Sequence, residues 1–186
     1  MLMQEYQEEL REINIMLEDK NKEYETKAST DPLTGLYNRY KFSELYLSSY
    51  TAMTQRHYDM SLILLDIDFF KKVNDNYGHN MGDQVLIQVS HALLKILRNI
   101  DIVCRWGGEE FALLLPHVTI ERAEVIANNL RAKIELAHFP EVNNITCSFG
   151  VASYKVGDSV DNITQRADIA LYDAKDGGRN RVCFLA

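Results

Sequence analysis

Two short runs of this 186-residue chain place carboxylates where they could do phosphate chemistry. Asp66 and Asp68 stand two apart at the end of the apolar run Ser61–Asp68, and the two-residue period of a strand puts both side chains on one face. Glu109 and Glu110 follow Gly107-Gly108, a pair that suits a tight hairpin turn. If that hairpin lies beside the strand carrying Asp66, the carboxylates converge at one sheet edge. Such a cluster repels itself unless cations neutralise it. Mg2+ takes oxygen ligands and is commonly shared with phosphates. Two such ions about 3.5–4 Å apart can activate an attacking hydroxyl and stabilise a leaving phosphate. Gly107 and Gly108 also clear side chains from a place where a triphosphate could lie. Either pair alone reads as acidic strand ends and an ordinary turn; both on one sheet point to a metal site.

The rest of the chain must position these groups. Residues 1–29 contain no Pro or Gly and read as one helix. Met3, Tyr6, Leu10, Ile13, Leu17, Lys20 and Tyr24 recur at alternating steps of three and four, a heptad seam with a polar position at Lys20. An isolated exposed helix of that length is marginal in water, so the seam implies a homodimer. Asp31-Pro32-Leu33-Thr34-Gly35-Leu36 breaks the helix as a turn. Helices are then expected over Tyr40–His57, Lys71–Tyr77, Asp83–Arg98, Thr119–Ala137 and Ile163–Lys175. Leu86, Val89, Leu93 and Leu97 share one face of the third of these. Strands are expected over Ser61–Asp68, Ile102–Trp106, Phe111–Leu115, Ile145–Tyr154 and Arg181–Leu185. A strand–helix–hairpin–helix–strand core suits an α/β (α+β) sandwich with a largely antiparallel sheet, of the ferredoxin-like or polymerase-palm kind. The division is a helix over 1–29 and a globular domain over 30–186.

Composition narrows the function classes. Hydrophobic residues make up 46% of the chain, enough for a real core. The net charge of −7, with no basic stripe, argues against a grip on long nucleic acids. An acidic protein can still hold a small polyanion through metal ions and a few local cations. Cys104, Cys147 and Cys183 lie in short apolar runs with no CxxC spacing, and read as buried, reduced thiols. No signal peptide or long apolar stretch stands in the sequence, so no direct membrane segment is expected in this chain and the domain is expected to be cytoplasmic.

Gly107-Gly108-Glu109-Glu110-Phe111 resembles the signature of the GGDEF family of diguanylate cyclases, in its GGEEF form. The resemblance continues in Asp31-Pro32-Leu33-Thr34-Gly35-Leu36-Tyr37-Asn38-Arg39, and in Asp66-Ile67-Asp68-Phe69-Phe70-Lys71 with Asn74-Asp75, Gly78-His79 and Gly82-Asp83. Ala174-Lys175 with Gly178-Arg179-Asn180 matches the family's closing motif. Several motifs in order, over about residues 30–186, are far more specific than five letters.

The resemblance implies condensation of two GTP into cyclic di-GMP with release of two pyrophosphates. It implies a metal site of Asp66, the Ile67 carbonyl, Glu109 and Glu110, holding two Mg2+ per active site, with Mn2+ as a substitute. Glu109 would deprotonate the ribose 3′-hydroxyl and Glu110 would stand by as a second carboxylate, while Asp68 orients the loop. The backbone N–H groups of Phe69 and Phe70, at a helix start, would cradle phosphates. Lys71, Lys175 and Arg179 would neutralise phosphate charge. Asn74 and Asp83 would read guanine, since a carboxylate accepts from its N1 and N2 hydrogens and adenine lacks that donor pair. His79 would line the same pocket or cap a turn. Arg98 and Asp101 match the family's RxxD product-inhibition site for cyclic di-GMP; a bare RxxD also reads as a helix-end ion pair. Arg131 is a candidate second basic residue there.

Each half-site holds one GTP, so two domains must face each other, and a coiled coil would raise their effective concentration. The rival readings are a non-catalytic GTP or cyclic di-GMP binding module, another nucleotidyl transferase on the same palm, and a structural coiled-coil protein.

Overall fold

The apolar run that ends in Asp66 becomes the centre of the sheet. The computed structural model describes residues 28–142 and 144–185, and before them Gln7, Arg11, residues 13–17, Lys20 and Tyr24. From Tyr37 on, the described elements run β1 (Tyr37–Asn38), α1 (Arg39–Arg56), β2 (Met60–Ile67), α2 (Phe70–Tyr77), α3 (His79–Leu94), β3 (Ile102–Gly107), β4 (Glu110–Pro116), α4 (Ile120–Glu135), β5 (Cys147–Ser153), α5 (Val160–Asp176) and β6 (Val182–Leu185). The strands form one sheet in the order β1-β3-β4-β2-β5-β6. The three inner pairings, β3–β4, β4–β2 and β2–β5, are antiparallel, and the rim strands β1 and β6 pair parallel. The mixed architecture and largely antiparallel sheet are those expected from the sequence.

The period of two in β2 builds both layers of the core. Ile63, Leu65 and Ile67 join Val85, Leu86, Val89 and Leu93 of α3 and Ala127, Leu130 and Ile134 of α4 on one side. Leu62 and Leu64 join Phe42 and Tyr46 of α1 and Ile163, Ala167 and Leu171 of α5 on the other. A strand buried on both faces reads as a continuous apolar run, as this one does. Local signals fix the helix starts: Asn38 accepts from Lys41 N–H, Thr119 from Arg122 N–H and Ser159 from Asn162 N–H.

The main differences from expectation lie at β1, α3 and the hairpin turn, and α5 also begins about one turn early, at Val160 instead of Ile163. β1 is only two residues long and lies between the expected turn and the first expected helix, where no element was assigned. α3 begins at His79 and ends at Leu94, about one turn earlier at each end than Asp83–Arg98. Gly82, a weak helix former, hides the first turn from a propensity reading. The position takes glycine because a β-carbon there would overlap Asn74 Oδ1. At the other end Arg98 N–H donates to Asp101 Oδ2 (2.8 Å) and Asp101 N–H to the Arg98 carbonyl (2.9 Å), closing a turn that helix cannot share. In the hairpin, Gly107 pairs with Glu110, so the turn is Gly108-Glu109, one residue later than expected. A bulge between Arg105 and Gly107 accounts for the shift. Its extra residue, Trp106, packs edge-on against Phe42 and under the Arg39 guanidinium, 4.3 Å from the ring centroid.

The described residues before Ser29 are helical. Of the heptad positions, Met3, Tyr6 and Leu10 lie outside the described residues; Ile13, Leu17 and Tyr24 are exposed. No described helix is long and apolar enough to cross a membrane. Cys104 and Cys147 are buried, Cys183 is partly so, and all three are free thiols. Burial pushes the Cys104 thiol up to about 12.

Candidate active site

Antiparallel register brings the two acidic runs together. Asp66 at the end of β2 is the direct cross-strand partner of Glu110 at the start of β4. Directly opposed residues lie about 5 Å apart at their β-carbons and share a face. The turn folds over the same strand end, since Ile67 N–H donates to the Glu109 carbonyl at 3.4 Å. Lys175, in the last turn of α5, reaches across with its Nζ 2.9 Å from Asp66 Oδ2. Burial lifts the Asp66 carboxyl above its ordinary range; Lys175 opposes the lift, and Glu109 and Glu110 add to it. The charge balance at this corner therefore favours another cation. The donor set is three carboxylates and a backbone carbonyl, all hard oxygen, which fits magnesium. Among the described residues no three acidic, imidazole or thiol groups yet close around one point.

Asp68 goes elsewhere. It is 5% exposed and accepts from Thr146 Oγ1 (2.7 Å), Ser148 Oγ (2.7 Å) and Asn180 N–H (3.0 Å). Its carboxylate is consumed in holding the loop between β2 and α2 to the turn between α5 and β6.

Phe69 follows Asp68 in the left-handed region, at φ 57°, and no side chain caps the N-terminus of α2. A non-glycine residue there costs about 1–2 kcal/mol, which the surroundings must hold in place. The exposed Phe69 ring has Lys72 Nζ at 4.5 Å and Arg179 Cζ at 4.6 Å from its centroid. Phe70 instead turns into the core. Lys71 is exposed on the first turn of α2. Asn74 lies across Gly82, next to the exposed Asp83, and His79 is exposed at the start of α3.

Arg98 and Asp101 hold each other. Arg98 Nη2 lies 2.6 Å from Asp101 Oδ1 and donates at 3.0 Å to the Pro116 carbonyl, and the Asp101 side chain is 1% exposed. They border a pocket of about 350 Å³ shared with Leu36, Tyr37, Leu97 and Val103. Arg131 is bonded to Glu135 Oε2 at 2.7 Å and Asn180 Oδ1 at 2.9 Å, and it is not among the residues lining that pocket.

Residue types alone did not reveal the tie between the incoming turn and the hairpin. Asp31 accepts from Thr34 N–H (2.9 Å), Thr34 Oγ1 (2.7 Å) and Arg105 (3.2 Å), and Arg105 Nε donates to the Gly108 carbonyl at 2.9 Å. Burial would raise the Asp31 carboxyl, but Thr34 and Arg105 outweigh it and hold the group below its ordinary value. That stabilisation is present above the ordinary value of 3.8 and is lost as acid takes the pH down through the folded value. Asp31→Asn is therefore expected to lower stability by about 1–2 kcal/mol at neutral pH. In urea titrations the gap from wild type should shrink below the ordinary carboxylate range; a gap that stays constant down to pH ~3 contradicts this.

The diguanylate cyclase GGDEF-domain model matches residues 28–181 of the chain. DgcM of Escherichia coli K12, a diguanylate cyclase, is 41% identical over 158 residues, covering 83% of this chain and 38% of DgcM. YhcK of Bacillus subtilis is 42% identical over 169 residues, covering 88% of this chain and 47% of YhcK. The chain thus spans less than half the length of these relatives. Among solved structures, the coiled coil and GGDEF domain of DgcB from Caulobacter crescentus, in complex with c-di-GMP, superposes with a TM-score of 0.91 at 30% identity, covering 99% of each chain.

Proposed function

The chain belongs to the GGDEF-domain family of diguanylate cyclases, and from that membership we propose that it condenses two GTP into cyclic di-GMP as a magnesium-dependent dimer. The observation that carries the reading is the Asp66–Glu110 cross-strand pair with Lys175 against it, a carboxylate corner at the open end of the central strand.

Asp66, the Ile67 carbonyl, Glu109 and Glu110 would hold the metal, two ions per site. Magnesium, when bound, supplies charge that acidifies the ribose hydroxyl and steadies the triphosphate. The chain's own residues do the rest. The 3′-oxygen of one GTP attacks the α-phosphorus of the other, its proton passes to the Glu109 carboxylate, and the bond to pyrophosphate breaks. The same step with the roles exchanged closes the ring and releases the second pyrophosphate. Lys175, given up by Asp66, joins Arg179 and Lys71 on the phosphates, and the uncapped start of α2 at Phe69-Phe70 offers backbone N–H groups to them. Asn74 and Asp83 read guanine beside His79.

Two active sites must face each other for both attacks. The division into a pairing helix over 1–29 and a catalytic domain over 30–186 meets that need, and the exposed Ile13, Leu17 and Tyr24 support it. DgcB's coiled coil joined to the same kind of domain supports it too. Arg98 and Asp101 form the product-inhibition site; binding there requires the pair to open, so that each can bond guanine or phosphate instead of its partner. Substrate supply and three free thiols, two of them buried, favour the cytoplasm.

The test is incubation of the dimeric chain with GTP and Mg2+, followed by chromatography. Cyclic di-GMP and two equivalents of pyrophosphate are expected. GTP retained without product would replace this reading with a binding module.

A further inference from the structure

We propose that Asn180 is a positioning residue, locked between Asp68 and the Arg131–Glu135 pair, and that it aims Arg179 and Lys175 at the triphosphate. The inference rests on the nucleotide site proposed above.

Arg179 and Asn180 are consecutive non-glycine residues in the left-handed region, at φ 64° and 45°. Asn tolerates that region better than Arg, but two in a row need outside support. Asn180 receives it on its backbone N–H and on both ends of its side-chain amide. Its backbone N–H donates to Asp68 Oδ2 at 3.0 Å, its Nδ2 donates to Glu135 Oε1 at 2.7 Å, and its Oδ1 accepts from Arg131 Nη1 at 2.9 Å. Arg131 also bonds Glu135 Oε2 at 2.7 Å, which closes a three-membered ring of side chains on the end of α4. Asp68 is fixed in turn by Thr146 and Ser148.

The ring is more than is needed to attach β6, which is already zipped to β5 and begins with Phe149 N–H donating to the Arg181 carbonyl at 2.9 Å. What the ring fixes is the turn between Lys175 and β6. The turn carries Arg179 to the Phe69 ring at 4.6 Å and holds the α5 end with Lys175 on Asp66 at 2.9 Å. Two cations are thus held beside the strand end where the phosphates would sit, one on Asp66 and one over Phe69. Asn180 touches no reacting atom; it acts through Arg179 and Lys175.

A positioning role predicts a particular split. In the full chain, Asn180→Ala and Glu135→Ala raise the KM for GTP about tenfold, with kcat changed less than about threefold, because the displaced cations bind ground-state phosphate charge. Glu135→Gln keeps an acceptor for Asn180 Nδ2 but sets its amide NH2 against the Arg131 donor, so its KM falls between wild type and Glu135→Ala. Affinity for α,β-methylene-GTP, which cannot release pyrophosphate, follows KM in all three. A role confined to fold would lower the melting temperature and the active fraction while leaving KM and analogue affinity unmoved, and would overturn the proposal. If Asn180→Ala does not fold, the Glu135 pair decides alone. If wild type binds the analogue but makes no product, the proposed activity fails, and the analogue series still decides the role of Asn180.

Discussion

Glu109→Ala is expected to cut cyclic di-GMP synthesis by about a thousandfold or more, as loss of a group at the reacting hydroxyl does in comparable sites. Glu109 sits in the two-residue turn Gly108-Glu109, folded back on Ile67 by its own carbonyl. Its side chain is partly exposed and lies outside both core clusters, so its removal should leave the melting temperature nearly unchanged. Alanine keeps the backbone carbonyl that pairs with Ile67 N–H. The loss would then be read as chemistry, not as unfolding. The check is the initial rate of cyclic di-GMP formation at saturating GTP and Mg2+, beside a thermal melt. Equal rates for variant and wild type would remove Glu109 from the mechanism.

Asp83→Ser should relax the choice of base. A site built to accept two guanine hydrogens rejects a ring that lacks them, because the carboxylate is then left without partners. Asp83 stands next to Gly82, over which the Asn74 amide lies, so the two proposed readers come from α2 and α3 at one crossing. Serine retains a hydrogen-bonding group but loses the charge and the reach. The ratio of kcat/KM for GTP over ATP is expected to fall about a hundredfold, measured in competition with both nucleotides and product analysis for mixed rings. An unchanged ratio would move base recognition away from α3.

The central strand, its carboxylate end and the flanking helices were legible because they rest on periodicity and on residues with narrow chemistry. Ile63 and Leu64 announce two buried faces, and Gly107 through Phe111 announce a hairpin. What escaped was whatever depends on partners distant in sequence. β1 exists only because Tyr37 and Asn38 lie against Cys104 and Arg105. The first turn of α3 was hidden by Gly82, whose reason is a side chain eight residues earlier. Asp68 and Asn180 are 112 residues apart, and nothing in the type of either says that one holds the other. Arg131 has the charge expected of a ligand-binding residue, but it is spent on Glu135 and Asn180.

The rims of the sheet carry one more consequence. A protein proposed to work as a dimer runs the hazard of joining to its copy by the wrong surface. Open strand edges are the usual culprit, since unsatisfied peptide groups on one molecule template a strand on the next and grow filaments. Here the outermost strands are two and four residues long. So little rim leaves strand-by-strand fusion almost nothing to grip. If two copies meet through the loop end of the sheet, where Asp66, Glu109 and Arg179 stand, these short rims offer no competing seam.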